Sequence, residues 1–198
     1  MPARCAELPA AVFDVLRGVD VLLHAGDVGE LWVLDRLSAI APVIAVHGND
    51  ETAAVQRELP YQQLVVAGGV RILLTHGHYP DRAAELESRK DDAWQPKLAR
   101  RTAMGQRANA RVVVYGHTHV PMAVEHEGVL LVNPGAIASP NPTLRQHIQS
   151  VAILSIRDDG ALFVTHIDLA NPDQPFMPQI DWQAGFRAAH AQFTTPLG

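Results

Sequence analysis

The stretch that decides the fold is RVVVYGHTH, residues 111–119, in which a run of valines is followed by a glycine and two histidines. The apolar, β-branched run predicts a buried strand. His117 and His119 follow it two residues apart, and in extended backbone such side chains point the same way. Imidazole is the commonest transition-metal ligand among side chains. The stretch therefore predicts a strand that ends in a pair of candidate metal ligands.

Three other hydrophobic segments end in the same manner, with a glycine beside polar side chains. Because the chain has 10 histidines, one His-x-His pair would be weak evidence by itself, whereas four such endings are stronger. In open α/β sheets the carboxyl ends of strands gather at one edge, where binding sites form. We therefore expect the four endings to meet in space. They are Gly26-Asp27, Gly48-Asn49-Asp50, His76-Gly77-His78 and Gly116-His117-Thr118-His119.

The ligand types in these endings indicate which metals to expect. One carboxylate, one amide oxygen and several imidazoles suit Mn²⁺, Fe²⁺, Zn²⁺ or Ni²⁺ better than a metal that prefers thiolates. An asparagine ligand is unusual for structural zinc, which is held in a closed tetrahedron of cysteine and histidine. The endings therefore predict an open, catalytic metal site.

Composition bounds the class of protein. A chain of 198 residues is long enough for one domain with a sizeable core, and a formal charge of −5 argues against a phosphate-binding surface for nucleic acid. The single cysteine, Cys5, excludes an internal disulfide and fits a reducing compartment. No run approaches the ~18 apolar residues of a membrane span, and no leader sequence is present. We expect a cytoplasmic protein that is not in a membrane.

The rest of the pattern predicts an α/β protein with mixed sheets. Early strands alternate with amphipathic helices at residues 7–17, 30–40 and 51–58. A long, charged segment from 81 to 109 predicts helix, broken at Pro96. Three turns that contain glycine predict hairpins, one before this charged segment and two after it. The three hairpin turns are at Gly68-Gly69, Glu127-Gly128 and Asp158-Asp159-Gly160.

The chain after residue 170 is predicted to be a separate tail. Residues 171–178 contain three prolines and read as a linker, and an amphipathic helix follows. The helix carries an apolar stripe that needs a partner surface. Packing on its own chain and docking on a second copy, as a homodimer, both stay open. The predicted organisation is one domain at 1–170 and a tail at 171–198.

The four endings, in this order and spacing, resemble the calcineurin-like metallophosphoesterase superfamily, and within it the small bacterial and archaeal phosphodiesterase branch. HAGD at 24–27 and NPG at 133–135 are also similar to that branch. The resemblance spans about residues 19–169. It implies a four-layer αββα sandwich of two mixed β-sheets flanked by helices, with a two-metal centre at the strand ends.

The resemblance also implies a role for each ligand. Asp27 is expected to bridge both metals, while Asn49, His76 and His117 hold one of them and His119 helps to hold the other. Mn²⁺ is the expected metal, with Fe²⁺, Ni²⁺ or Zn²⁺ as alternatives. The implied reaction is hydrolysis of a small phosphate ester, above all a phosphodiester, by metal-activated water.

Two departures from the family pattern bear on activity. Members open with a strand that ends in Asp-x-His and supplies two further metal ligands, but residues 1–5 contain no such motif. Either the true protein is longer by a strand, or one metal position is impaired. Asp50 also replaces a histidine that donates a proton in larger relatives. This leaves the general acid unassigned, with His78 as a candidate whose structural role is favoured.

Plainer roles compete with the metal assignments. Asp27 could cap the following helix, and Asn49 could occupy a left-handed turn. His24 and His47 are expected to be buried and hydrogen-bonded. The remaining histidines are expected to be structural or on the surface: His126, His147, His166 and His190.

Two functions of different class follow from these observations. The first is a metal-dependent phosphodiesterase or phosphatase, favoured because all five candidate ligands are present together. The second is a catalytically impaired relative that acts as a scaffold for protein interaction, favoured by the missing Asp-x-His.

Overall fold

The structure is a computed structural model that describes residues 7–88, 94–138, 148–174, 176 and 178. Its helices are α1 Ala10–Val15, α2 Trp32–Leu37, α3 Ala53–Glu58, α4 Arg82–Ser88 and α5 Trp94–Arg107. Its strands are β1 Leu22–His24, β2 Val43–Ala45, β3 Gln62–Ala67, β4 Val70–Thr75, β5 Val112–Tyr115, β6 Met122–His126, β7 Val129–Asn133, β8 Ser150–Ile156 and β9 Leu162–Asp168.

The largest sheet has five strands in the order β3-β4-β5-β7-β6. The three central strands are parallel, and the two edge strands are antiparallel to their neighbours. All four residues of β5 are buried. This is expected for a parallel strand with both faces covered, and it explains the uninterrupted valine run at 112–114.

A second layer of strands consists of two pairs. β1 and β2 are parallel, and β8 and β9 form an antiparallel hairpin. Within the described residues the two pairs are not hydrogen-bonded to each other. Both pairs nevertheless send side chains into the same two apolar clusters, so they lie in one layer.

The inner cluster lies between the two strand layers, and the outer cluster lies between the paired strands and α1–α3. The inner cluster comprises Ala25, Val46, Val65, Val70, Ile72, Leu74, Val112, Val114 and Val132, with Leu23, Ala152, Leu154 and Ile156 packed against it. The outer cluster comprises Val12, Leu16, Val28, Val33, Leu37, Val55, Val151 and Leu169, with Leu22 and Ile153 packed against it.

The far face of the five-stranded sheet is covered by α5. Leu98 and Met104 of this helix pack with Val113 and Leu131 of the sheet. The layers therefore run helix, strand, strand, helix. The αββα sandwich is confirmed, with the second strand layer made of a parallel pair and an antiparallel pair.

The three hairpins form where the turns predicted them. Gly68 and Gly69 have φ of 53° and 75°, and Glu127 and Gly128 have 47° and 77°. Positive φ at both central residues is the geometry that matches the twist of the flanking strands. The prediction for Pro96 is wrong, because α5 begins at Trp94 and contains it. Proline is tolerated in the first helical turn, where its missing N–H has no helical partner.

The tail lies mostly outside the described residues, which include its positions 171–174, 176 and 178. Phe176 forms an antiparallel bridge with His166 of β9, so the predicted linker starts alongside the hairpin. The predicted C-terminal helix and the separate status of residues 171–198 remain predictions. No helix in the described part of the chain is long and apolar enough to cross a membrane.

Candidate metal centre

The four polar endings follow β1, β2, β4 and β5, which contribute from both strand layers. β1 and β2 are parallel and in register, with His24 opposite Ala45. β4 and β5 are also parallel, with Thr75 opposite Tyr115. Because paired parallel strands end at the same level, their following loops meet at one edge of the sandwich.

Three of the predicted ligands converge at this edge. His76 Nε2 lies 3.4 Å from Asp27 Oδ1 and 3.2 Å from Asn49 Oδ1. The His76 side chain is almost fully buried, whereas Asp27 is 21% exposed. The meeting point is therefore open to solvent on the aspartate side and closed on the histidine side.

The hydrogen bond made by His76 Nδ1 determines whether Nε2 is available to bind a metal. His76 Nδ1 lies 2.7 Å from the carbonyl oxygen of Ala25, and it must donate because a carbonyl only accepts. In the neutral ring, Nε2 then carries a lone pair directed at two oxygen acceptors. Three lone-pair donors around one point need a cation, which is either a proton on Nε2 or a metal ion. The acid, amide and imidazole therefore fit a divalent metal.

The charge of Asp27 is secured by its neighbours. Burial alone would raise its pKa, but the hydrogen bond from His76 and the backbone N–H of Asp50 hold the pKa of this carboxyl well below its usual range. The Asp50 N–H donates to Asp27 Oδ1 at 3.0 Å. Asp27 is thus a carboxylate throughout the ordinary pH range, as a metal ligand requires.

His117 lies beside this group but is engaged by another residue. Its ring centroid is 5.1 Å from that of His76. Its Nε2 is 2.7 Å from Glu85 Oε1 of α4, with both side chains largely buried. Burial lowers the pKa of His117, and the bond to Glu85 opposes this shift. With Glu85 accepting the Nε2–H, Nδ1 is the ring atom left to hold a metal.

His119 lines the same cavity as Asp27, His76 and His117. In the described part of the chain, however, no three histidine, cysteine, aspartate or glutamate side chains converge as a preformed metal site. The structure therefore brings Asp27, Asn49 and His76 together and places His117 and His119 around them. The residues fit one cation; the second metal position stays a prediction.

Backbone strain marks three of the predicted ligands. Asp27, His117 and His119 have φ of 54°, 67° and 56°. Residues other than glycine rarely adopt this left-handed backbone conformation, and where they do, they are often at functional sites. His117 and His119 are therefore not in the extended backbone that the sequence predicted, in which their side chains would point the same way.

Glu51 and Asn133 hold the ligand loops in place. Glu51 accepts hydrogen bonds from the backbone N–H groups of Val28, Gly29 and Gly48, at 2.8, 2.7 and 3.0 Å. It thereby ties the Asp27 loop to the Asn49 loop. Asn133 Nδ2 donates to the Gly116 carbonyl at 2.8 Å and to Thr118 Oγ1 at 3.0 Å, which fixes the His117 loop.

Sequence reasoning missed the roles of Glu51, Glu85 and Asn133. An acid two residues after Asn49 and an acid in a predicted helix have no distinctive spacing. Asn133 lay in the NPG segment that resembles the family, which was the only sequence signal for it. The bonds by which these residues reach the loops of Asp27 and His117 span 15 to 32 positions.

Several other histidines have structural roles. His126 Nδ1 is 2.8 Å from Thr102 Oγ1, and His166 Nε2 donates to the Asn133 carbonyl at 2.8 Å, as predicted. His147 and His190 lie outside the described residues.

Burial, followed by the neighbouring His76 and His117 rings, lowers the pKa of His78 to about 4. The His78 ring is therefore neutral rather than an imidazolium at pH 7, which argues against it as the general acid.

His24 is predicted to make the protein sensitive to acid. Its Nδ1 is buried with no partner among the described residues, and burial lowers its pKa to about 4. The unfolded chain takes up this proton near pH 6.5, so the free energy of unfolding falls as pH drops from 6.5 towards 4. We expect His24→Leu to recover roughly 2 kcal/mol of the loss between pH 7.5 and pH 5.

Urea unfolding of metal-free protein in EDTA measures this difference. Other buried histidines keep some acid sensitivity in the variant. Identical losses in both proteins would show that His24 does not carry the effect.

The four-layer fold and the acid, amide and imidazole at its strand ends define an α/β protein with a candidate metal centre between two strand layers. The chain belongs to the calcineurin-like phosphoesterase superfamily, whose family model matches residues 4–159. This confirms the family to which the strand endings pointed.

Relatives of known name support the same assignment. The chain is 33% identical over 162 residues to a probable metallophosphoesterase of Methanothermobacter thermautotrophicus, covering 81% of each chain. It is 31% identical over 117 residues to the phosphodiesterase YfcE of Escherichia coli, covering 54% of this chain and 52% of that one. Both relatives are prokaryotic, as the resemblance to the small branch predicted.

Solved structures share the fold. A conserved protein of Streptococcus pneumoniae, described as a predicted phosphoesterase, aligns with a TM-score of 0.58 at 23% identity, covering 87% of this chain and 89% of that one. Wild-type Vps29 of Entamoeba histolytica, complexed with zinc, aligns with a TM-score of 0.60 at 22% identity, covering 84% and 92%. At this identity the likeness concerns the fold alone.

Proposed function

We propose that the protein hydrolyses phosphate esters in a metal-dependent reaction, with phosphodiesters as the substrate class. The observation that carries this proposal is the convergence of Asp27, Asn49 and His76 Nε2 on one point at the strand ends. Membership of a phosphoesterase family and relatives named for this activity support it.

Asp27, Asn49 and His76 would hold a divalent cation, which would act as a Lewis acid towards a phosphoryl oxygen and would lower the pKa of a bound water. The chain's own residues prepare the position. Asp27 brings a full negative charge, and the Asp50 N–H fixes its Oδ1. Ala25 orients the His76 ring through Nδ1. A phosphodiester carries one negative charge, so a cation with the amide of Asn49 can balance the charge of the transition state.

We propose Mn²⁺ as the preferred metal, with Fe²⁺, Ni²⁺ or Zn²⁺ as alternatives, because the ligands are oxygen and imidazole nitrogen. A second metal would need His119 and ligands beyond the three that converge. The cytoplasmic location remains a prediction, and both alternatives for the tail, packing on its own chain and docking on a second copy as a homodimer, stay open.

Asp27→Asn tests the function directly. The amide keeps the shape but removes the negative charge, so we expect bound Mn²⁺ to fall and hydrolysis of bis(p-nitrophenyl) phosphate to drop at least about 100-fold. Asp35→Asn, on the exposed face of α2, is the matched control and should change neither quantity. Metal content per chain and initial rates with added Mn²⁺ are the measurements.

Two results would contradict the proposal: Asp27→Asn retaining full rate, or the parent protein binding Mn²⁺ without hydrolysing any phosphate ester offered. The second result would favour the non-catalytic scaffold. That alternative is supported by the absence, within the described residues, of three convergent histidine, cysteine or acidic side chains.

A further inference from the structure

The loop that follows β4 is held by side chains from two helices. Gly77 and His78 accept hydrogen bonds on their carbonyl oxygens from Arg100 of α5, whose Nη1 and Nη2 donate at 2.8 and 2.9 Å. The N–H of Tyr79 donates to Glu85 Oε2 of α4 at 2.9 Å. The position of this loop is therefore set by charged side chains that are distant from it in the sequence or carried on another element.

One peptide group of the loop lies between opposite charges. The His78 carbonyl and the Tyr79 N–H belong to the same peptide bond, and in a trans peptide these two groups point in opposite directions. The Arg100 guanidinium therefore lies at one end of the peptide dipole and the Glu85 carboxylate at the other. Hydrogen bonds to charged groups are stronger than neutral ones, and bonds in series polarise one another. The peptide thereby couples the position of the carboxylate to that of the guanidinium.

Glu85 extends this coupling to a candidate metal ligand. Its Oε1 accepts the Nε2–H of His117 at 2.7 Å, and the two side chains are 12% and 14% exposed, so little water competes for the bond. A partner on one ring nitrogen fixes the tautomer and the orientation of the imidazole, which leaves Nδ1 as the ligand atom. The Arg100–Glu85 relay is the series of three hydrogen bonds from Arg100 through the His78–Tyr79 peptide and Glu85 to His117.

The packing of α4 does not by itself fix the position of Glu85. No residue of this helix is fully buried, Leu86 is 49% exposed, and the three apolar clusters of the described residues include no side chain of α4. Arg100, in contrast, lies on the long helix α5, which packs on the five-stranded sheet. Its guanidinium also stacks 3.9 Å from the centre of the Tyr79 ring. The relay is therefore anchored at Arg100, and the position of Glu85 depends on it.

We propose that Arg100 and Glu85 are positioning residues of the metal centre, which hold His117 in the orientation that leaves Nδ1 able to bind the cation. Arg100 also supports the second histidine loop, because it bonds to Gly77, the residue after His76. The relay thus determines how tightly the chain binds a metal ion. This inference rests on the metal binding of the proposed function, and it does not depend on whether a phosphate ester is hydrolysed.

Calorimetric titration of the metal-free 198-residue chain with Mn²⁺ gives the first test. Glu85→Gln keeps the shape, but one amide oxygen cannot accept from both His117 and Tyr79, and Arg100→Gln removes the paired bonds to the loop. We expect each substitution to weaken Mn²⁺ binding at least about tenfold. Because both act through one relay, the double variant should bind about as weakly as either single variant. Losses that multiply to about a hundredfold would overturn the proposal.

Two further variants separate the relay from a general effect of charge. Arg107→Gln, at the exposed end of the same helix, is the matched control and should leave Mn²⁺ affinity unchanged. Arg100→Lys keeps the charge but offers one ammonium in place of a planar fork, so its affinity should lie between those of the parent and Arg100→Gln. The Tyr61 hydroxyl also donates to the His78 oxygen, so the Arg100 variants should fold. Equal losses with Arg107→Gln and Arg100→Gln would overturn the proposal.

The ¹⁵N NMR spectrum of the histidine side chains, recorded in EDTA at pH 8, gives the second test without a bound metal. In the parent protein His117 should be a single tautomer with its proton on Nε2. Arg100→Gln should add the Nδ1–H tautomer, although three hydrogen bonds separate Arg100 from His117. A role of Arg100 in folding alone would not change this tautomer. His126, which contacts Thr102 Oγ1, is the internal reference and should keep its signals in every folded variant.

An unchanged His117 tautomer in both Arg100→Gln and Glu85→Gln would overturn the proposal, whatever the Mn²⁺ affinities. A parent protein that binds no Mn²⁺ would instead contradict the proposed function, and the histidine spectra would then decide the positioning of His117 by themselves. A parent protein that binds Mn²⁺ without hydrolysis would leave both tests of the relay in force.

Discussion

Gly48→Ala is expected to abolish metal binding and hydrolysis although the change adds one methyl group. A Cβ at this position would overlap Asp27 Oδ1 and lie 2.5 Å from the Asp27 backbone nitrogen. A backbone atom cannot rotate away as a flexible side chain can, so the Asp27 and Asn49 loops must separate. Separating the loops would also break the hydrogen bonds that Glu51 Oε1 accepts from the Gly48 and Val28 N–H groups.

We expect Gly48→Ala to lower the free energy of unfolding by about 2–4 kcal/mol and the hydrolysis rate by at least about 100-fold. Urea unfolding, bound Mn²⁺ and the bis(p-nitrophenyl) phosphate assay measure these losses. Gly69→Asn is the control, because no atom of the described residues, its chain neighbours aside, lies within 4 Å of its Cβ position and asparagine tolerates its φ of 75°. A Gly48→Ala protein that binds Mn²⁺ normally would refute the close packing of the two loops.

Asn133→Asp is expected to destabilise the protein strongly, although the two side chains have nearly the same shape. Asn133 is fully buried, and its Nδ2 donates to the Gly116 carbonyl and Thr118 Oγ1. The carboxylate removes both donors and faces the Gly116 oxygen with a negative charge. The Gly135 N–H that donates to Asn133 Oδ1 at 2.9 Å does not offset the buried charge and the two lost donors, so we expect a loss of about 3–4 kcal/mol at pH 8.

The exposed Asn171→Asp is the matched control, since Asn171 makes its side-chain bond at the surface, and should cost about 0.5 kcal/mol or less. Chemical unfolding at pH 8 compares the two variants. The Asn133 variant should also bind less Mn²⁺, because the loop of His117 loses its support. Equal stability of the two variants would show that Asn133 does not hold this loop.

Much of the fold follows from local pattern. The valines at 112–114 predict a strand buried on both faces, and β5 is one. Gly68-Gly69 and Glu127-Gly128 predict hairpins because few residues adopt positive φ, and both hairpins form. Pro96 was misjudged since the rule that proline ends helices does not hold in the first turn, and the start of α5 is not marked in the sequence.

The candidate metal centre also combines features that the sequence predicts with features that it does not. The order of the four polar endings was sufficient to identify the family and to name the three side chains that converge. The supporting contacts of Glu51, Glu85 and Asn133 were beyond such reasoning, because they join segments that are far apart in the chain. The left-handed backbone at His117 and His119 also differs from the extended geometry that a strand ending suggests.

The sequence by itself determined the order of strands and helices, the turns, and the chemical types at each strand end, because these depend on neighbouring residues and their periodicity. Only the tertiary structure decided that Ala25 orients His76, that Glu85 engages His117, and that the β1–β2 and β8–β9 pairs lie in one layer. These features depend on how distant segments approach one another in space, and that approach is set by the packing of the inner and outer clusters as a whole.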